Sequence, residues 1–149
     1  MNVTLHPITR ENFDDAIELE LEEDQEQHLP SNLYSIAESS LSPLFYPRAI
    51  NLDAEVVGFT MYQFGEIGEP DQDECTIWRF MIDRNHQNRG IGKIAMGLLL
   101  DEIRAHQRCS LVDIYYDESN MAASKLYTHW GFKVVGNRDD GDVIAERSV

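Results

Sequence analysis

The sequence is poor in basic residues, in cysteine and in long apolar runs. Its 149 residues include 12 Lys and Arg against 27 Asp and Glu, which gives a formal net charge of −15. Such a charge repels phosphate backbones and anionic lipids, so no nucleic acid and no membrane surface is expected as a main partner. It attracts cations, including small polyamines. On charge alone, solubility or a saline cytoplasm is the preferred explanation.

The two cysteines, Cys75 and Cys109, are far apart and form no C-x-x-C motif. Neither a disulfide framework nor a zinc ribbon is expected, and reduced thiols in a cytoplasmic protein are the simplest interpretation. The N-terminus has no basic region followed by an apolar run, which argues against a signal peptide. No apolar stretch approaches the roughly 20 residues that span a bilayer. The five histidines lack metal-ligand spacing, so no metal site is predicted.

Length and apolar content fit one domain that comprises residues 1–149. The apolar fraction of 42% is enough for a real core. Apolar runs predict strands and apolar residues at helical spacing predict helices, in the order β-α-α-β-β-β-α-β-α-β-β. We therefore predict an α/β (α+β) fold with a mixed sheet of about six to seven strands and about four helices. The sheet is mixed because only the strands around the longest helix have a parallel crossover.

The elements of the second half have the clearest patterns. Strands at 75–82 and 111–116 flank an amphipathic helix at 90–107. A further helix at 120–130 ends at Gly131, a residue typical of C-terminal caps. The predictions for the first half are a helix through Phe13, Ile17 and Leu21, a turn or short strand framed by Pro43 and Pro47, and a hairpin of 49–52 with 56–64.

The stretch from Ile77 to Lys93 carries the chemistry. An apolar strand runs into a polar loop and then into a helix that opens with Gly90 and Gly92. Glycine allows a bent backbone and the close approach of a ligand. The unpaired N–H groups and the dipole at the helix start favour a pyrophosphate. Arg89 and Lys93 add positive charge in a protein that is otherwise acidic.

Three phosphate-binding motifs can be compared with this loop. A Walker A loop is excluded, because Gln87 and Ile94 stand where it requires Gly and Ser or Thr. The dinucleotide fingerprint G-x-G-x-x-A is met by Gly90, Gly92 and Ala95. However, polar residues separate it from its strand, and one βαβ unit is too little for a dinucleotide fold. The third motif, Q/R-x-x-G-x-G/A, is matched in full by Gln87-Asn88-Arg89-Gly90-Ile91-Gly92.

A second motif follows the strand at 111–116, about 30 residues downstream. It reads Asn120-x-x-Ala123-x-x-x-Tyr127-x-x-x-Gly131-Phe132. With both motifs in this order, the chain resembles the GNAT acetyltransferase superfamily over nearly its whole length. The N-terminal half resembles, more loosely, a bacterial subgroup of spermine/spermidine (polyamine) acetyltransferases. The residues that carry this second resemblance are Glu22-Glu23-Asp24-Gln25, Pro30-Ser31-Asn32-Leu33-Tyr34-Ser35-Ile36-Ala37 and Trp78-Arg79-Phe80-Met81-Ile82-Asp83.

The resemblance implies a GNAT fold whose sheet splays between the strands at 75–82 and 111–116, with acetyl-CoA in the gap. It implies that Asn120 touches the cofactor arm. It also implies that Tyr127, on the same helix face, directs its hydroxyl at the sulfur as the general acid. The main chain that would bond the pantetheine arm and polarise the thioester carbonyl belongs to Phe80, Met81 and Ile82. The residues that would hold the pyrophosphate are Gln87, Asn88, Arg89, Gly90, Ile91, Gly92 and Lys93.

The implied activity is direct acetyl transfer from acetyl-CoA to a primary amine through a tetrahedral intermediate, and the leading acceptor is a polyamine such as spermidine or spermine. The segment 18–26 has six acidic residues in nine and lies where such enzymes build the acceptor pocket. Glu22, Glu23, Glu26 and Glu74 are therefore candidates for pairing with substrate ammonium groups. Hydrated surface carboxylates explain them equally well.

Several alternatives stay open at this point. A protein N-terminus, an aminoglycoside or an amino acid would use the same cofactor half and differ within residues 10–50. A non-catalytic acyl-CoA-binding domain is an alternative of another class, but the presence of Tyr127 argues against it. A dinucleotide-binding module is the third alternative. Tyr34, Tyr46 and Trp78 are candidates for cation–π contacts or for packing. A homodimer is common among similar enzymes and is expected on that ground.

Overall fold

A seven-stranded mixed sheet organises the protein, for which a computed structural model describes residues 1–22 and 31–149. The strand order in the sheet is β1-β2-β3-β4-β5-β7-β6. In chain order the strands are β1 (Val3–Pro7), β2 (Phe45–Leu52), β3 (Glu55–Phe64), β4 (Glu74–Ile82), β5 (Leu111–Tyr116), β6 (Lys133–Asn137) and β7 (Val143–Ser148). Among these strands, which all lie in the described residues, only β4 and β5 pair in parallel. The predicted mixed sheet with one parallel pair is confirmed.

Helices cover both faces of this sheet. Within the described ranges they are α1 (Phe13–Ile17), α2 (Asn32–Ser39), α3 (Ile91–Ala105) and α4 (Met121–His129). Helix α3 is the crossover between β4 and β5, and it packs together with α4 on one face. On the other face, Phe59, Met61 and Met81 pack with Leu21 and Ile36. No helix in the described residues is both long and apolar enough to cross a bilayer.

The first helix is shorter than its apolar spacing predicts. Helix α1 ends at Ile17, although Leu21 is buried as expected. The reason is that Glu20 forms tertiary hydrogen bonds: its N–H donates to Asp83 Oδ1 over 2.9 Å, and its carbonyl accepts from the Arg84 N–H over 2.7 Å. These bonds hold the chain against the end of β4 in place of another helical turn.

Strand β2 begins earlier than predicted and runs through Pro47 without a turn. Its pairing with β1 ends at Arg48, opposite Pro7. Its pairing with β3 continues to Phe45. Pro47 therefore lies where β2 has a strand partner on one side only, which is the kind of position where a sheet tolerates proline.

A bulge in β4 sets the direction of the side chains near the site. The register of β3 with β4 shifts after Met61, which leaves Trp78 as the extra residue on β4. A bulge moves the alternation of side chains by one residue. Phe80 and Ile82 consequently pack towards α3, as Ile77 does before the bulge.

Candidate active site

Strands β4 and β5 separate part-way along their length. Their parallel pairing begins at Glu74 and ends at Ile77, opposite Ile114. Beyond that point, a cleft of about 650 Å³ opens between the end of β4 and the end of β5. This volume is within the usual range of small-molecule sites. The predicted splay of the sheet is confirmed.

The cleft brings the two sequence motifs together. Its walls include Asn120 and Tyr127 from the second motif. From the strand and the first motif they include Phe80, Met81, Ile82, Gln87, Asn88, Gly90, Ile91, Gly92 and Lys93. Of the residues predicted to bind the cofactor, Arg89 is the one that does not line the cleft, and its side chain is exposed. Residues about 30 positions apart in sequence thus form one site.

The loop before α3 presents main-chain donors to the cleft. Gly90 is the N-cap residue of α3, with φ at +82° and ψ at +2°. Glycine adopts this left-handed conformation without strain. A Cβ at Gly90 would meet no atom of the described residues within 4 Å, so the backbone angle and not the space requires glycine. Because Gly90 has no side chain to cap the helix, the first N–H groups of α3 can bind an anion.

Two cations flank these N–H groups. Lys93 lines the cleft from the first turn of α3, and Arg89 precedes Gly90 in the loop. Across residues 1–22 and 31–149, neither side chain forms an ion pair. In a chain with a net charge of −15, this local positive charge fits the phosphates of coenzyme A.

The end of β4 has one strand partner. Phe80, Met81 and Ile82 pair with Thr60 through Gly58 of β3, while the ladder to β5 has already ended. The Gln87 side chain donates to the Ile82 carbonyl over 3.0 Å and so fixes the turn out of the strand. The edge of β4 that faces the cleft is free of β5, as the predicted main-chain contact with the pantetheine arm requires. That contact stays a prediction.

Helix α4 holds Tyr127 in the cleft wall. Its ring lies 5.3 Å from the ring of Tyr116 and 5.8 Å from that of Phe132, and the residue is 6% exposed. Burial, and then the nearby Tyr116, raise the pKa of Tyr127 above its ordinary value of 10. The hydroxyl therefore keeps its proton at neutral pH, which is the form that a general acid needs.

Asn120 begins the same helix. It is the N-cap residue of α4, and its Oδ1 accepts a hydrogen bond from the Ala123 N–H over 3.0 Å. This bond replaces one of the partners that a helix start lacks. The cap therefore accounts for the side-chain oxygen of Asn120, while the predicted contact of this residue with the cofactor stays a prediction.

The predicted substrate carboxylates are not brought into the cleft where they can be located. Glu22 is exposed and follows Leu21, which does line the cleft. Glu74 lies at the other end of β4, where the strand still pairs with β5. Burial, and then Asp113 and other nearby carboxylates, raise the pKa of Glu74. Glu23 and Glu26 fall outside the described residues.

Sequence reasoning missed several residues in the cleft wall. Among the described residues, the acidic ones that line the cleft are Asp117 and Asp142, from the β5–α4 connection and the β6–β7 turn. Tyr115 and Tyr116 line it from the end of β5. Tyr115, Tyr116 and Asp117 stand at the end of a predicted strand that borders the expected splay. This position in the sequence could have predicted that they line the cleft. Asp142, in a polar turn, gave no such signal.

Comparison with known proteins identifies the family. The sequence matches the acetyltransferase (GNAT) family over residues 7–132. It is 23% identical over 141 residues to the spermine/spermidine N(1)-acetyltransferase of Bacillus subtilis (strain 168), an alignment that covers 93% of each chain. These matches confirm the family resemblance and the acetyltransferase class of enzyme, with acetyl-CoA as cosubstrate.

Solved structures with the same fold have varied acceptors in their names. The ribosomal-protein-S18-alanine N-acetyltransferase of Escherichia coli has a TM-score of 0.76 at 18% identity, over 99% of this chain and 94% of that one. The aminoglycoside acetyltransferase AAC(6')-Ib in complex with coenzyme A has a TM-score of 0.78 at 17% identity, over 99% and 95%. These similarities confirm the fold. Because the family match spans most of its length, the chain belongs to the acetyltransferase (GNAT) family.

Proposed function

We propose that this enzyme transfers the acetyl group directly to a primary amine, and that its acceptor is a polyamine such as spermidine or spermine. The observation that carries the proposal is the end-to-end similarity to a spermine/spermidine acetyltransferase, at 23% identity over 93% of both chains. The charges in the cleft support it. Lys93 lies in the part of the wall that α3 forms. Asp117, from the β5–α4 connection, and Asp142, from the β6–β7 turn, can attract a cationic acceptor.

The proposed mechanism assigns a step to each part of the cleft. Acetyl-CoA supplies the thioester, and the N–H groups at the start of α3 bind its diphosphate. The acceptor ammonium gives up one proton to solvent water, and its neutral nitrogen then attacks the thioester carbonyl to form the C–N bond. A second proton passes from this nitrogen to solvent as the tetrahedral intermediate collapses to the amide. Main-chain N–H groups at Phe80 to Ile82 stabilise the oxyanion that develops on the carbonyl. As the C–S bond breaks, the Tyr127 hydroxyl donates its proton to the departing sulfur.

A panel of acceptors tests the proposal. Purified enzyme and acetyl-CoA are mixed with spermidine, spermine, an aminoglycoside, free amino acids and a peptide, and the release of free thiol is followed. We expect the highest kcat/KM with the two polyamines. A higher value with the aminoglycoside, an amino acid or the peptide would refute the polyamine acceptor while leaving amine acetylation intact. Tight binding of coenzyme A with no thiol release from any acceptor would indicate a non-catalytic domain.

A further inference from the structure

Two aromatic rings form an open wall of the cleft on the sheet face away from α3 and α4. Ile114 packs into the core beneath α3, so by strand alternation Tyr115 faces the other side. There its ring lies 5.5 Å from the ring of Trp78, the residue of the β4 bulge, at an interplanar angle of 43°. Both residues line the cleft, and Trp78 is 39% exposed. We call these two rings the ring pair.

Hydrogen bonds hold each ring of this pair in place. Trp78 Nε1 donates to Gln63 Oε1 over 2.7 Å, and the Tyr115 hydroxyl donates to Asp113 Oδ2 over 3.2 Å. A surface that is fixed before binding loses little conformational entropy when a ligand arrives. The ring pair is therefore organised as a contact surface, although neither residue belongs to the closed core.

A cation already lies on one of the rings. The guanidinium carbon of Arg138, an exposed residue that follows β6, is 4.6 Å from the centroid of the Tyr115 ring. The main-chain N–H of Arg138 donates to the Asp142 carbonyl over 2.8 Å. The Arg138 side chain, however, makes no ion pair with any described residue. Little besides the ring contact holds this guanidinium, so another cation can replace it.

The surroundings of the ring pair favour positive charge. Asp113, beneath Tyr115, is 9% exposed, and within the described chain its Oδ1 has no hydrogen-bond partner. Glu146 is its register partner on β7. Burial, and then the charge of Asp113, raise the pKa of Tyr115. A buried carboxylate with too few donors is stabilised by a nearby cation.

We propose that the ring pair binds the distal ammonium group of a linear polyamine acceptor, and that this group displaces the Arg138 guanidinium from Tyr115. The inference rests on the proposed amine acceptor and adds the residues that recognise its second charge. An ammonium group on the Tyr115 ring, beside Trp78, gains cation–π attraction in place of the guanidinium, and the field of Asp113 adds to it. Arg138 is then an internal competitor that weakens acceptor binding.

The Arg138 variant gives the most specific test. We expect Arg138→Gln to lower the KM for spermidine about three- to tenfold, because it removes the competing cation, and to leave the KM for acetyl-CoA unchanged. Arg104→Gln, which removes the same charge from an exposed arginine on α3, is the matched control and should change neither constant. A spermidine KM that is unchanged or raised in Arg138→Gln would overturn the proposal, because Arg138 would then not compete with the acceptor.

Variants of the rings test the wall itself. Tyr115→Leu should raise the spermidine KM about three- to tenfold, whereas Tyr115→Phe, which keeps the aromatic face, should retain most of the affinity. Equal effects of the two variants would overturn the proposal. Their comparison is meaningful only after both proteins show wild-type circular dichroism.

A binding measurement separates this inference from the proposed function. The chain has two tryptophans, so spermidine binding at Trp78 should change the fluorescence emission of the wild type and leave that of Trp78→Phe unchanged. If the enzyme acetylates spermidine but the emission change persists in Trp78→Phe, the ring pair is wrong and the proposed function stands. If spermidine is not acetylated in the acceptor panel, the proposed function fails. An absent emission change in the wild type overturns the ring-pair inference in either case.

Discussion

Replacing Tyr127 by phenylalanine isolates the proposed proton donor from its packing. The variant keeps the ring that packs against Tyr116 and Phe132 and removes the hydroxyl alone. We therefore expect the free energy of unfolding to change by no more than about 1 kcal/mol. Tyr127→Ala would instead empty a site that is 6% exposed, at a cost of about 3–5 kcal/mol, and would not separate chemistry from folding.

The expected kinetic effect follows from the role of a general acid. Such a group typically contributes about 10²- to 10⁴-fold to a rate. At about 1.36 kcal/mol for each factor of ten, the barrier should rise by about 2.7–5.4 kcal/mol. The dissociation constant of coenzyme A should stay within about twofold, because the proposed diphosphate contacts are at the start of α3 and not at Tyr127.

The assay combines thiol release for kcat with calorimetry for coenzyme A binding. Tyr46→Phe is the matched control, since Tyr46 stacks on Tyr62 and is not among the residues that line the cleft. Because the pKa of Tyr127 is raised above 10, its ionisation should cause no loss of kcat between pH 7 and pH 9. A kcat of Tyr127→Phe within about twofold of the wild type would remove this residue from the mechanism.

Three further predictions concern the loop, the acidic end of β4 and the thiols. Gly90→Ala forces an L-residue to φ +82° without a clash. The free energy of unfolding in urea should fall by about 1–2 kcal/mol, and coenzyme A should bind more weakly. An unchanged free energy of unfolding would contradict the backbone argument. Because the pKa of Glu74 is raised in the fold, its stabilising contribution is lost as pH rises through the folded pKa. Glu74→Gln should therefore raise the Tm at pH 7 and Glu11→Gln should not; equal Tm changes would refute this. A hydrogen bond with the Cys75 thiol lowers the pKa of Cys109. Diamide should therefore couple the two cysteines with the loss of two titratable thiols, and Cys109→Ser should prevent this; no thiol loss in the wild type would contradict the contact.

The parts of the site that the sequence predicts depend on local chemistry. Gly90 is required by a backbone angle, and the N–H groups that follow it are unpaired in any helix start. The place of Tyr127 seven residues after Asn120, on the same helix face, follows from helical spacing. The parallel pairing of β4 with β5 follows from the helix between these two strands, which requires a crossover.

Other features depend on contacts between distant segments. No spacing rule places the bulge at Trp78, which results from the register of β4 against β3. The end of α1 at Ile17 depends on hydrogen bonds between Glu20 and the end of β4. Such bonds join residues far apart in sequence, so no local pattern predicts them.

By itself, the sequence identified the family, the glycine loop at the start of α3 and the helix face that carries Asn120 and Tyr127, because glycine conformation, helix dipoles and side-chain periodicity act over a few residues. Only the tertiary structure decided which acidic and aromatic side chains line the cleft. It placed Asp117 and Asp142 in the cleft wall and brought Trp78 against Tyr115, while Glu74 lies where the strands are still paired. The physical reason is that these neighbours are set by strand register and by the splay of the sheet, which are properties of the whole hydrogen-bonded sheet.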